Sequence, residues 1–222
     1  MKEDRVRLAL QELFGPQVGI GVTDPRSDNY LLMDSEKEAV ARAVPKRLRE
    51  FSAGRAAGRE ALSEIGFRRS AIPRSRDRTP VWPAGIVGSI SHCDSLCLAA
   101  VCHIKTWRSI GLDIEGDAPL QKEAWPIILT QQEEQDLKKI PRWRRARRIK
   151  ALFSIKEAVY KAQYPLTGEI CDFHTLNVTI DGNRFEATFL QDVGSFQTGF
   201  VATGGFAEVD RYVVSCCMME DR

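Results

Sequence analysis

Apolar residues between positions 4 and 14 recur every three or four residues, which predicts an amphipathic helix that stops at Gly15-Pro16. Apolar runs at 18–23 and 30–33 flank the turn-rich Asp24-Pro25-Arg26-Ser27-Asp28-Asn29 and predict a β-hairpin. Ser35-Glu36-Lys37-Glu38 has the form of a capping box and opens a helix expected to run to Val44. Pro45 interrupts it before a longer helix over 46–65, closed by Gly66. A Pro- and Arg-rich loop at 72–83 leads to strands at 88–92, 96–104 and 109–115, followed by a capped helix at 130–137. Helical periodicity returns over 142–163 and is expected to end at Tyr164-Pro165, because the residue before proline avoids the helical region. Strands at 176–180, 184–190, 197–203 and 211–219 complete an antiparallel pattern.

Phe51-Ser52 recurs as Phe153-Ser154, and Ala56 as Ala158, at one offset. Each lies in a long basic helix followed by an apolar hairpin whose last strand holds cysteine. This predicts an α+β fold of two similar halves, 1–106 and 107–222, related by a pseudo-twofold axis.

At 222 residues, 43% of them hydrophobic and 28% charged, the chain can bury a real core, which excludes wholesale disorder and coiled-coil character. The formal charge of +2 is too balanced for a general polyanion binder, so any basic function is local. No apolar run reaches the length of a membrane span, and Met1-Lys2-Glu3-Asp4-Arg5 does not open a signal peptide; a cytoplasmic protein is expected. Six cysteines without a CxxC pattern read as buried thiols, with neither disulfides nor zinc.

Four segments carry chemistry. In Ser109-Ile110-Gly111-Leu112-Asp113-Ile114-Glu115, strand alternation sends Ile110, Leu112 and Ile114 to the core and Gly111, Asp113 and Glu115 to the other face. Two carboxylates beside the open space of a glycine suit a hard divalent cation, although an ordinary solvated acidic face has the same pattern. In Phe153-Ser154-Ile155-Lys156-Glu157-Ala158-Val159-Tyr160-Lys161, Glu157 and Lys161 are helical neighbours with Lys156 one residue round, facing one site or forming a plain surface pair. On the 46–65 helix, Arg55 falls inside the apolar stripe with Arg47 and Arg59 at its edges, and Gly58 leaves room for close packing. A guanidinium there needs an internal carboxylate or a ligand phosphate. In Gly88-Ser89-Ile90-Ser91-His92-Cys93, His92 is either a satisfied core histidine or a phosphate ligand.

Together with Arg47-Leu48-Arg49-Glu50-Phe51-Ser52-Ala53-Gly54-Arg55 and Pro80-Val81-Trp82-Pro83, these segments resemble, in order, the 4′-phosphopantetheinyl transferases of the Sfp type, specifically the enterobactin synthetase component D-like branch. The resemblance covers about residues 45 to 165. It implies an active site between the two α+β halves. It also implies Mg²⁺-dependent (or Mn²⁺-dependent) transfer of the phosphopantetheine arm of coenzyme A to a serine of an apo acyl or peptidyl carrier protein, releasing adenosine 3′,5′-bisphosphate. By motif, Asp113, Glu115 and Glu157 are the metal ligands, Glu157 and Lys161 the catalytic pair, and Lys156 and Lys161 the cations that offset pyrophosphate charge. Arg47, Arg55, Arg59, Ser91 and His92 fall to coenzyme A, His92 with Arg47 and Arg55 at its 3′-phosphate. From the 74–78 loop the contact is Arg76 or Arg78. A monomer serving siderophore, polyketide or fatty-acid carriers, with no membrane partner, follows. The run Lys138-Lys139-Ile140-Pro141-Arg142-Trp143-Arg144-Arg145-Ala146-Arg147-Arg148-Ile149-Lys150, with eight cations and no acid, is then a docking surface for an acidic carrier. The rival readings are a metal-dependent nuclease and a non-enzymatic nucleic-acid-binding module; the latter leaves the three carboxylates unexplained.

Overall fold

The computed structural model describes residues 2–220. Its first helix, α1 (Lys2–Phe14), buries Val6, Leu10, Leu13 and Phe14 and gives way at Gly15. The hairpin expected next does not form. β1 (Gly19–Thr23) pairs antiparallel with Cys97–His103, far downstream, with Gly21 opposite Ala99. Residues 30–33 form no strand, because the Leu31 carbonyl is held at 2.8 Å by Arg59.

α2 (Asp34–Lys37) is a single turn continued by a 3-10 turn, Glu38–Val40, rather than a helix to Val44. Its Glu36 accepts from Met33 N at 2.8 Å, so the box closes two residues earlier than the sequence pattern placed it. Pro45 starts α3 (Pro45–Glu64) instead of interrupting a helix, since its missing N–H is free of cost at the first helical position. Gly66, at φ +73°, stops it in the left-handed region that glycine tolerates.

β2 (Ile86–His92) and β3 (Cys97–His103) form a hairpin that gives a sheet of order β1-β3-β2. β4 (Ser109–Glu115) opens the second half, followed by α4 (Trp125–Ile128) and α5 (Gln131–Lys138). Thr130 caps α5 by accepting from Glu133 N at 3.2 Å, and Glu133 returns the bond to Thr130 N at 2.8 Å. α6 (Arg142–Thr167) runs through the expected stop at Pro165. Gln163 holds that last turn together, accepting from Thr167 Oγ1 at 2.7 Å and donating to Glu169 O at 3.0 Å. β5 (Leu176–Asp181), β6 (Arg184–Phe189), β7 (Val201–Val209) and β8 (Tyr212–Met219) complete a sheet of order β4-β8-β7-β6-β5. β7 begins at Val201 rather than 197 because Gly199 turns the chain at φ +86°.

The two halves repeat one topology. β1, α3, β2, β3 correspond to β4, α6, β7, β8, with β5 and β6 an added hairpin. Ile20-Gly21-Val22-Thr23 matches Ile110-Gly111-Leu112-Asp113. A methyl on Gly21 would strike the Ala57 carbonyl, and one on Gly111 the Ala158 carbonyl, so each helix lies directly on a strand glycine. This sets Ala57 against Ala158, one residue away from the register of the Phe51-Ser52 echo. The 106/107 division falls in the turn between β3 and β4. α1 bridges it: Val6 and Leu10 share a core with Ile20 and Leu98 of one half and Leu112 and Val214 of the other. All six cysteines are free, and among the described residues no helix is long and apolar enough to cross a membrane.

Candidate active site

β2 and β4 are edge strands of different sheets, and two serines join them. Ser89 Oγ accepts from Leu112 N at 3.0 Å, and Ser91 Oγ donates to Asp113 Oδ1 at 2.9 Å. The small, polar start of β2 is thereby explained: short hydroxyl side chains let the halves approach and still satisfy backbone and carboxylate. The sequence reading missed Ser89; its spacing of two from Ser91, on one strand face, was the available signal.

Asp113 is 3% exposed. Its Oδ1 also accepts from Lys161 Nζ at 2.7 Å, and that ammonium reaches Ser91 Oγ at 3.1 Å. Asp113 Oδ2 is buried and meets no donor. Glu115, two residues along the same face, has its pKa raised to about 7 by burial, then by the Asp113 charge. Burial likewise raises Glu157, with Lys161 opposing and Asp113 adding to the shift. The strand alternation holds, with Ile110, Leu112 and Ile114 in the core. Gly111, however, leaves no open space: α6 fills it.

Among the described residues no three His, Cys, Asp or Glu side chains are gathered into a ready cage for an ion. The donor set nonetheless fits a hard divalent cation. It offers oxygen ligands only, one of them a buried carboxylate oxygen without a partner, and its neighbouring carboxylates resist ionising together.

Lys156 is a correction. It is 1% exposed and points into the second half, donating to Ile128 O at 2.7 Å, Glu133 Oε2 at 2.7 Å and Phe173 O at 2.9 Å. All three ammonium hydrogens are used internally, so none remains for a ligand. One step along a helix turns a side chain by about 100°, which separates Lys156 from Glu157 and Lys161.

Arg59 is a second correction. Buried at 7% exposure, its Nη1 grips both oxygens of Glu36, at 2.8 and 3.0 Å, and Glu36 also accepts from Ile72 N. It fastens α2 to α3. Arg55, one turn earlier, is different. Its guanidinium stacks on the Phe51 ring at 4.1 Å, its Nε is buried without a partner, and burial lowers its pKa to about 10. The one carboxylate whose charge acts on it, Glu36, is bonded to Arg59 instead, while Glu60 pairs with Arg7 and Glu50 lies beside Lys46, Arg47 and His92. Burial lowers the His92 pKa, and the Arg47, Lys161 and Lys46 charges push it the same way against Glu50. Gly58 packs against Ile72 and Trp82.

Between the halves lies a cleft of about 520 Å³, lined by Arg78, Trp82 and Ser89 of the first half and by Tyr160, Lys161 and Tyr164 of the second. Lys161 joins this cleft to the Asp113 cluster.

The two halves match separate family models: the 4′-phosphopantetheinyl transferase N-terminal domain over residues 35–102, and the 4′-phosphopantetheinyl transferase superfamily over 109–217. The 4′-phosphopantetheinyl transferase Svp of Streptomyces mobaraensis is 35% identical over 188 residues, 82% of this chain and 71% of that one. Npt of Nocardia iowensis, of the same description, is 37% identical over 147 residues, 66% of this chain and 65% of its own. Enterobactin synthase component D of Salmonella typhi is 39% identical over 140 residues, covering 61% and 56%. The resemblance read from the motifs is borne out along both halves, and the chain belongs to the 4′-phosphopantetheinyl transferase superfamily, a family of transferase enzymes.

Proposed function

We propose that this protein transfers the 4′-phosphopantetheine arm of coenzyme A to a serine of an apo carrier protein, leaving adenosine 3′,5′-bisphosphate. The observation that carries the reading is Asp113, buried between the halves with one oxygen held by Lys161 and Ser91 and the other without a donor. Asp113, Glu115 and Glu157 would hold Mg²⁺ or Mn²⁺, which supplies charge neutralisation at a pyrophosphate. Lys161 contributes a fixed positive charge at the same point. Glu157, whose buried carboxyl binds its proton more tightly than usual, is suited to accept the proton of the carrier serine. Phosphoryl transfer asks for positioning and charge more than a covalent catalyst, which agrees with a cluster of acids and one lysine.

Arg55 is the anion receptor for the 3′-phosphate. A buried guanidinium that lacks a carboxylate gains most from a phosphate, and Arg47 and His92 lie within electrostatic reach of it or of each other. Ser91 acts by orienting Asp113 and Lys161.

The test is incubation of the purified protein with coenzyme A, Mg²⁺ and an apo carrier, with the carrier's mass read afterwards. A gain of one phosphopantetheine supports the proposal. No gain on any acyl or peptidyl carrier, with nucleic acid bound or cut instead, overturns it.

A further inference from the structure

Arg78 has a backbone φ of +74°, in the left-handed region that is unfavourable for a residue with a Cβ. Such an outlier persists only where its surroundings hold it. Here they do. The 74–80 segment folds back on itself, with Arg74 bridging Pro80, Ser75 N donating to Thr79 O at 2.9 Å, and Arg78 N donating to Ser75 O at 3.2 Å. At its centre one carboxylate oxygen, Asp77 Oδ1, accepts from Ser75 Oγ, from Thr79 Oγ1 at 2.8 Å and from Thr79 N at 3.2 Å. These donors hold the Asp77 pKa near 2, so it stays ionised throughout the physiological range.

The loop belongs to the first half, yet Asp77, Arg78 and Thr79 line the cleft whose far wall is Tyr160, Lys161 and Tyr164 of α6. The Tyr164 hydroxyl reaches the Asp77 carboxylate from across the cleft as a further hydrogen-bond partner, which also helps to lower the Asp77 pKa. A cation held in a strained turn at the mouth of a cleft that has Lys161 inside it is placed for an anionic group of whatever lies there.

We propose that Asp77 is a positioning residue, which holds the 74–80 loop in the turn that aims Arg78 at a phosphate of coenzyme A in the inter-half cleft. This rests on the transferase reading above, in which an arginine of the loop meets coenzyme A, and adds what fixes that arginine's turn. Asp77 itself, with its oxygen committed to Ser75 and Thr79, need not touch the substrate.

The test is a double-mutant cycle on the full chain with Asp77→Ala and Arg78→Ala, read by calorimetric binding of coenzyme A and by steady-state transfer. Each single variant is expected to weaken coenzyme A, in Kd and KM, by about tenfold while kcat and the carrier's KM stay within about twofold. The double variant should be no worse than Arg78→Ala alone, because Asp77 acts through Arg78. Arg78→Gly separates strain from function: it should lose the same affinity while its Tm holds or rises, since glycine adopts the turn without strain. Wild type that binds coenzyme A normally while Asp77→Ala leaves Kd unchanged, or adds its full effect to Arg78→Ala, overturns the positioning role alone. Wild type that binds no coenzyme A overturns the transferase reading and this proposal together.

Discussion

Lys161 Nζ lies 2.7 Å from Asp113 Oδ1, while the second oxygen of the same buried carboxylate meets no donor. A carboxylate satisfied on one side only, 3% exposed, is a costly arrangement for a structure to keep without use. Asp113→Asn keeps the shape and the Ser91 contact but removes the charge. Transfer is expected to fall roughly a thousandfold, with the fold retained. The Mg²⁺-dependent rise in Tm of the wild type should also vanish in the variant. Persistence of that rise would remove Asp113 from the ion's ligands.

Glu115 carries a pH signature. Its pKa moves from 4.5 in an unfolded chain to about 7 in the folded protein, burial being the main cause. Between those values the folded state binds more protons than the unfolded one, so this group's contribution to stability falls as pH rises from 4.5 to 7. In metal-free buffer Glu115→Gln should therefore melt above wild type at pH 8 and draw level as pH falls toward 4.5. Melting curves across that range check it; a constant offset at every pH contradicts it.

Arg55 and Arg59 sit one turn apart and are expected to fail differently. Arg59→Ala strands Glu36, which is fully buried, and should lower stability by about 3 kcal/mol without changing the preference for coenzyme A over dephospho-coenzyme A. Arg55→Ala should shrink that preference about tenfold or more, as one charge-assisted phosphate contact is lost. Denaturation midpoints and the ratio of the two kcat/KM values separate the outcomes.

Lys156→Met tests whether a lysine next to Glu157 can be purely structural. Breaking its buried pair with Glu133 should cost about 3 kcal/mol. The KM for coenzyme A, measured below the melting range, should be unchanged; a tenfold rise in it with stability intact would return Lys156 to the substrate site.

Period and spacing made β4, the halves and the acid pair legible, because the alternation of a strand's two faces depends only on neighbours in sequence; that the acid face of β4 is itself buried against α6 was not in the pattern. What the sequence hid was long-range. Nothing near Arg59 announces that Glu36 will reach it, nor anything near Arg55 that its Nε will be buried without a hydrogen-bond partner. Nor does α6 present a polar stripe that would sort Lys156 from Lys161, because it is buried on several sides. β1 was misread for the same reason: its turn chemistry is real, with Arg26 N on Asp24 Oδ1 at 2.9 Å, but its partner strand lies beyond α3.

The basic run at 138–150 supports the last prediction. Much of its charge is spent inside the chain. Arg145 donates to Ile140 O and Lys138 O, Arg147 pairs with Glu208, Lys139 with Asp136, and Lys150 donates to Gly116 O and Ala118 O. Arg142, Arg144 and Arg148 show no carboxylate partner among the described residues, and Trp143 stands 75% exposed with the Arg144 guanidinium 4.5 Å over its ring. Trp143, Lys150 and Glu157 recur every seventh residue on α6, so they share a helix face, with Trp143 about 21 Å along the axis from Glu157. That distance is within the width of a small domain docked with its serine at Glu157. Under the proposed function, an acidic carrier body over Trp143 and its arginines would complement this surface in charge. Charge reversal at Arg142 and Arg144 is expected to raise the carrier's KM about tenfold at low salt, with a smaller effect near physiological ionic strength, and to leave the KM for coenzyme A in place. Reversal at Arg148, half-buried in a groove beside Asp136, Leu137 and Ile140, should do less. If the carrier's KM stays fixed and the variant instead loses affinity for DNA or RNA of any sequence, the surface serves nucleic acid and carrier docking lies elsewhere.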